Sequence, residues 1–257
     1  MKWIEMIGPS GVGKSYFFKA LCEKRSTNKE WITKEEGFQK LYQQCVDEKV
    51  ISRKRRAVDI LKLRTYRRNC YKLLPTSEVK KTIDKFGGKF SLLSEVMLSE
   101  HEKSQDYDPR KKLKMISWYY RSRLEPFIVL FAQNLNEKVL FEDGILHNNR
   151  GIRRINKYLK TKRTINQVWK PGAIIYCTAE HEVIFERILN RNRLGNGTFL
   201  QRDLSDDQIK QQINRSVKAK EDVAYLFKNH GVPVLELDMG NRIELNCKLT
   251  NNFIADL

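Results

Sequence analysis

The sequence predicts a three-layer α/β/α sandwich, a parallel sheet covered on both faces by helices and interrupted by a large helical insertion. Three observations carry this reading. Residues 2–7 are a short apolar run with aromatic and β-branched side chains, which ends in a glycine-rich turn and passes into helical spacing. Three more short apolar runs, 138–143 (KVLFED), 173–178 (AIIYCT) and 232–238 (VPVLELD), come late in the chain and suit parallel strands buried on both faces. Between these parts lie roughly 105 residues whose apolar spacing is helical.

In chain order, the strand at Lys2–Ile7 leads to a helix over Ser15–Lys24, where Phe17, Phe18, Leu21 and Cys22 fall on one face. No strand is predicted between Trp31 and Asn136. Leu41, Cys45 and Val46, then Val58, Leu61, Tyr66, Cys70 and Leu73, then Leu92, Leu93, Val96 and Met97 mark separate helices, broken at Pro75 and at Phe86-Gly87-Gly88. Asp108 before Pro109 supplies an N-cap and a pre-set first turn for a helix through Leu113, Ile116, Tyr120 and Leu124, kinked near Pro126. After the insertion, Val183, Ile184, Ile188 and Leu189 define a helix, and Ser205-Asp206-Asp207-Gln208 is a capping box for another that runs to about Asn229.

The charge is concentrated. The chain of 257 residues has 49 Lys+Arg against 31 Asp+Glu, a net +18. Residues 49–89 hold 14 basic residues against 3 acidic ones, and residues 150–170 hold 8 against none, so these two stretches exceed the net charge of the whole protein. Such localised basicity implies a polyanionic or phosphorylated partner: an anionic acceptor or glycan, an anionic membrane surface, or nucleic acid contacted through 49–89 and 150–170. Tyr66, Tyr71, Tyr119 and Tyr120 are candidate stacking faces for bases. The longest strongly apolar run, 126–132, is far short of the roughly 20 residues that cross a bilayer. Glu5 and the glycine-rich turn lie where a leader needs an uncharged apolar stretch, so a cytoplasmic location is expected. Five scattered cysteines and four scattered histidines suggest neither a disulfide frame nor a zinc site.

The chemistry is clearest at Gly8-Pro9-Ser10-Gly11-Val12-Gly13-Lys14-Ser15, which fits GxxxxGK[ST] at every fixed position. In this P-loop pattern, backbone N–H groups turn inward around phosphates where Cβ atoms would obstruct them, and the following helix adds its positive end. Lys14 reaches the β and γ phosphates of ATP and the Ser15 hydroxyl ligates Mg²⁺. Ligands of such sheets lie outside the carboxyl ends of the strands, so the other strand-end loops are searched for partners. Phe141-Glu142-Asp143-Gly144 places an acid at a strand end, with Asp143 preferred over Glu142 as a second Mg²⁺ ligand. Arg187, Arg191, Arg193 and Arg202 flank the glycine-containing segment 194–198 and are expected to act as a lid over the transferring phosphoryl group. Leu237-Asp238-Met239-Gly240-Asn241 is a turn expected beside the adenine base.

The order of phosphate loop, helical insertion, acidic strand end, AIIYCT strand with ERILNRNR helix and closing VPVLELD strand resembles the nucleoside monophosphate kinase group of P-loop kinases. The resemblance implies a nucleotide-binding core at 1–25 and 136–257 and an acceptor-binding insertion at 26–135. It also implies transfer of the γ-phosphoryl group of ATP, with Mg²⁺, to a small acceptor. Glu142-Asp143-Gly144 departs from the Asp-Arg pair of the thymidylate kinase pattern, and the insertion is long and basic. The core is also similar to P-loop proteins associated with surface-polysaccharide synthesis, which implies a sugar-containing acceptor. The expected function is therefore an ATP-dependent phosphotransferase with Lys14, Asp143, Arg191, Arg193 and Arg202 in catalytic roles. Arg64, Arg67, Arg68, Arg121 and Arg123 are candidate acceptor contacts. Two alternatives are a nucleic-acid end kinase and a nucleotide-dependent nucleic-acid-binding or regulatory protein without kinase activity.

Overall fold

The structure is a computed structural model that describes residues 2–25, 30–51, 70–103, 108–133, 135–149, 151–152, 170–198, 201–202 and 204–257. Residues 52–69 of the first basic stretch, with Arg64, Arg67, Arg68, Tyr66 and the helical run through Val58 and Leu61, and nearly all of the second stretch lie outside the described residues. The described strands are β1 (Lys2–Ile7), β2 (Trp31–Thr33), β3 (Lys138–Phe141), β4 (Ala173–Thr178) and β5 (Val234–Asp238). They form one parallel sheet in the order β2-β3-β1-β4-β5, with Ile4 of β1 opposite Leu140 of β3 on one side and Ala173 of β4 on the other.

The helices are α1 (Lys14–Glu23), α2 (Lys34–Asp47), α3 (Thr76–Phe86), α4 (Ser91–Lys103), α5 (Pro109–Tyr119), α6 (Glu125–Ala132), α7 (His181–Arg193), α8 (Asp206–Asn229) and α9 (Ile243–Ala255). Their starts follow from local chemistry. The Asp108 side chain accepts from Lys111 N at 2.9 Å with Pro109 in the first turn, and Ser205 with Gln208 forms the expected capping box. Thr33 and Glu36 make a second capping box that opens α2.

Two expectations need correcting. The stretch from Trp31 to Asn136 does contain a strand, because Trp31–Thr33 pairs with β3 as the sheet edge. Three residues are too few to display alternation, and this strand is held by its neighbours: Arg25 lies over the Trp31 ring at 4.8 Å and donates to both Glu36 oxygens, at 2.6 and 2.7 Å. The expected kink at Pro126 appears one turn earlier, as a widened π turn at Tyr120–Leu124 between α5 and α6. Proline lacks an N–H, and in a regular helix its ring collides with the carbonyl four residues back, here that of Ser122, which the wider turn relieves.

The sheet divides the core by strict alternation. Trp3, Ile7, Val139, Phe141, Ile174 and Tyr176 face one side, with α2, α4, α6 and the end of α8. Ile4, Met6, Leu140, Ala173, Ile175 and Cys177 face the other, with α1, α7 and α9. The chain leaving β1 therefore enters one layer through Phe17 and Leu21, and the chain leaving β3 enters the opposite layer through Ile145 and Leu146. Adjacent strands whose exits diverge open a crevice at their carboxyl ends. No helix among the described residues is long and apolar enough to cross a membrane.

Phe127 is the aromatic hub of the first layer, edge-on to Trp3 at 4.8 Å and to Phe90 at 5.6 Å. Phe127→Ala is expected to destabilise the protein by about 3–5 kcal/mol through the cavity it leaves. Equilibrium denaturation checks this, and a loss under 1 kcal/mol would show that the three rings do not form a shared core.

Candidate phosphate-binding site

The crevice between β1 and β3 is lined by the turn Gly8–Gly13 and by the loop after Phe141. The turn follows β1 directly and winds into α1. Gly11 and Gly13 have φ of +88° and +105°, a backbone conformation that disfavours any side chain, which accounts for the fixed glycine of the pattern at 13 and for the additional glycine at 11. Lys14, only 8% exposed, folds back over the turn and donates to the carbonyls of Gly8 at 3.2 Å and Pro9 at 3.5 Å. Burial lowers its pKa, and the carboxylates of Asp143 and, more weakly, Glu142 pull the other way. Ser15 is exposed at the first turn of α1.

Asp143, with its side chain 35% exposed, sits between two groups from different elements. Its Oδ2 accepts from Arg123 at 3.4 Å, and its Oδ1 lies 3.4 Å from His147 Nε2. The guanidinium of Arg123 also lies over the Trp118 ring at 5.0 Å, so the π turn aims this arginine into the crevice. Burial first, and then the charges of Lys14, Lys220 and Arg123, hold His147 well below the ordinary histidine pKa, so it is neutral at pH 7.

The loop carrying Asp143 is clamped from beneath. Glu5, fully buried in the middle of β1, accepts from His147 N at 2.6 Å and from Leu146 N at 3.2 Å. Tyr119 donates its hydroxyl to Ile145 O at 3.0 Å, and Lys220 of α8 donates to His147 O. Asn149 anchors the far end through Leu93 O at 2.9 Å and Gly151 N at 3.0 Å. Tyr119 is thus a buried clamp and not a stacking face for bases, and Tyr71 is tied to Glu125. Glu5 is not among the site residues expected from the sequence. The available signal was a carboxylate inside a strand that is buried on both faces.

The arginines beyond β4 divide into different roles. Arg191 donates to Ser10 Oγ at 3.3 Å and to Gln201, and burial lowers its pKa, so it alone of the expected lid residues touches the phosphate loop at a side chain. Arg187 is a brace beneath the loop, donating to Val12 O at 2.6 Å and Met239 O at 3.5 Å. Arg193 is exposed, and Arg202 closes the neighbouring turn by donating to Gly197 O at 2.6 Å, so neither is brought to the crevice. The β5 exit is held by Met239 N to Thr178 O at 2.8 Å and by Gly240 N to Asp238 Oδ1 at 2.8 Å.

The donor set fits a phosphate-bound Mg²⁺. Among the described residues no three acidic, histidine or cysteine side chains gather as a self-sufficient metal cage. One hydroxyl and one carboxylate, Ser15 and Asp143, are what remains for a hard cation that takes its other oxygens from phosphates and water.

Among solved structures, the chain is similar to deoxyadenosine kinase from M. mycoides. With the form holding dCMP and dCDP it shares 14% identity at a TM-score of 0.40, covering 99% of this chain and 100% of that one. With the form holding dATP the values are 13% and 0.41, with 98% of each chain covered. No family model and no curated protein sequence matches the chain.

The buried Glu5 makes a pH prediction. Burial raises its pKa from 4.5 to about 7, against the two N–H bonds that favour the ionised form. A raised folded-state pKa contributes stability that is present below pH 4.5 and is lost as pH rises through 7. Stability of the wild type relative to Glu5→Gln, which does not titrate, should therefore fall by roughly 3 kcal/mol from pH 4.5 to pH 8. Denaturant unfolding of both proteins at the two pH values checks the sign.

Proposed function

We propose that the protein is a P-loop phosphotransferase that moves the γ-phosphoryl group of ATP to a hydroxyl or phosphate oxygen of a small acceptor. The observation that carries the reading is the Lys14 ammonium, buried within a turn of left-handed glycines and under the opposing charge of Asp143 at the exit of β3. In this reading the N–H groups of residues 8–15 bind the β and γ phosphates. Lys14 and Arg191 offset the charge that develops as the bond from the γ phosphorus to the bridging oxygen breaks. A bond forms between that phosphorus and the acceptor oxygen, ADP leaves, and the acceptor proton is released. Mg²⁺ bound to the phosphates supplies further charge neutralisation, with Ser15 Oγ and Asp143 as the chain's ligands.

The acceptor approaches from the insertion, residues 26–135, over the π turn. Arg123, held between Trp118 and Asp143, is the described candidate for an anionic group on it. The charge of stretches 49–89 and 150–170 supports an anionic acceptor, of which a phosphorylated or acidic sugar is one kind. Arg121 lies exposed on the same turn.

Lys14→Ala should leave a folded protein whose ATP turnover falls about a hundredfold or more, because the lost charge serves the transferring group and not the core. Normal turnover by a folded variant, measured by ADP release, would overturn the assignment. Arg191→Ala should lower kcat at least tenfold, whereas Arg193→Ala should stay within about twofold, because only the first touches the loop. Equal losses in the two variants would mean that the segment acts as one mobile unit instead.

A further inference from the structure

A carboxylate in the centre of β1 is out of place by the rules that build the sheet. Its neighbours on the same face, Trp3 and Ile7, are buried apolar residues, and an apolar side chain at position 5 would be buried without the desolvation cost of a charge. The carboxylate instead meets the one loop that carries the acid of the crevice. It accepts both N–H groups of the Leu146–His147 segment, and Lys220 donates to the carbonyl of His147 from the opposite side. Gly144, next to Asp143, lies so close that a Cβ there would overlap the Glu5 carboxylate. The loop is thus seated on Glu5 at two backbone amides and one glycine. Glu5 also lies on β1, whose end at Ile7 leads directly into the turn from Gly8, so the phosphate loop and the Asp143 loop share one rigid base.

We propose that Glu5 is a positioning residue for phosphoryl transfer, which seats the 144–147 loop from below and so aims Asp143 at the phosphates held by residues 8–15. This rests on the phosphotransferase reading above. Glu5 does not touch nucleotide or acceptor. The charged groups facing it are Lys220 from α8 and Asp143 from the β3 exit, and Tyr119 of α5 packs near it.

Glu5→Gln tests this at pH 8, because the isosteric amide keeps the volume but offers one oxygen to two N–H donors. Amide hydrogen exchange is read first and does not depend on activity. Exchange at Leu146 and His147 should rise tenfold or more, while that of β4 stays within twofold. Steady-state hydrolysis of Mg·ATP, with water as acceptor, is read second. The Mg²⁺ concentration for half-maximal rate should rise at least threefold and kcat should fall at least tenfold, with ATP affinity at saturating Mg²⁺ within twofold. Unchanged exchange at the two amides would overturn the seat itself. Faster exchange with wild-type kcat and Mg²⁺ requirement would overturn its catalytic purpose, as would a parallel loss of ATP affinity, which marks general damage. If Glu5→Gln does not fold, Gly144→Ala displaces the same contact from the loop side, and wild-type kinetics in that variant would overturn the proposal. A wild-type protein with no ATP turnover would defeat the phosphotransferase reading and not the seat, which the exchange measurement judges alone.

Discussion

Burying an ionisable carboxyl group in a central strand costs several kcal/mol unless it is hydrogen-bonded, and in this protein much of the crevice depends on how that cost is met. Glu5 finds its partners in the backbone amides of the loop that leaves the neighbouring strand. Those amides would otherwise be buried donors in need of acceptors, so the group and the loop satisfy each other. Tyr119, Asn149 and Lys220 complete the arrangement from three further helices or loops. The acid beside Lys14 is therefore fixed by a network that reaches every layer on that face of the sheet.

The features legible in the sequence are those whose chemistry is local. Residues 8–15 stand out because glycine, lysine and serine fall there at the fixed spacing of the P-loop pattern, and Gly11 and Gly13 take the left-handed conformation that glycine tolerates. Caps at Asp108 and Ser205 were equally readable, since each is settled within four residues. What could not be read depends on contacts between distant segments. Arg123 is one basic residue among many until the π turn at 120–124 brings it to Asp143. Arg187 and Arg191 differ by one helical turn, yet one braces the loop from beneath while the other reaches the Ser10 hydroxyl. Strand β2 is three residues long and exists because β3 and the Arg25–Glu36 pair hold it.

Charge in this protein has two scales. Over the whole chain, +18 concentrated in two stretches sets a long-range field that favours anionic partners and is screened within about 10 Å at physiological salt. In the crevice, burial first and then the short-range charges of Lys14, Lys220 and Arg123 hold the His147 pKa well below its ordinary value. The second effect survives salt because the groups are shielded from solvent.

The placement of Glu5 on the strand that leads directly into Gly8 has a geometric consequence. Side chains on a strand alternate between faces, so a slip of one residue in the pairing of β1 with β3 would turn Glu5 toward α1 and bring Ile4 or Met6 under the Asp143 loop. The same slip would carry Gly8 along the sheet by about 3.3 Å relative to Phe141, enough to separate Lys14 from its opposing acid. Packing opposes the slipped register, since it would move Glu5 away from its two amide donors and exchange the apolar side chains that the two faces of β1 bury. The register that best buries Trp3, Ile4, Met6 and Ile7 is thus also the one that sets the distance between phosphate loop and acid. Selection for a stable core and selection for the crevice geometry act on the same pairing, so the spacing of the charged groups follows from strand packing and not from the reach of flexible side chains.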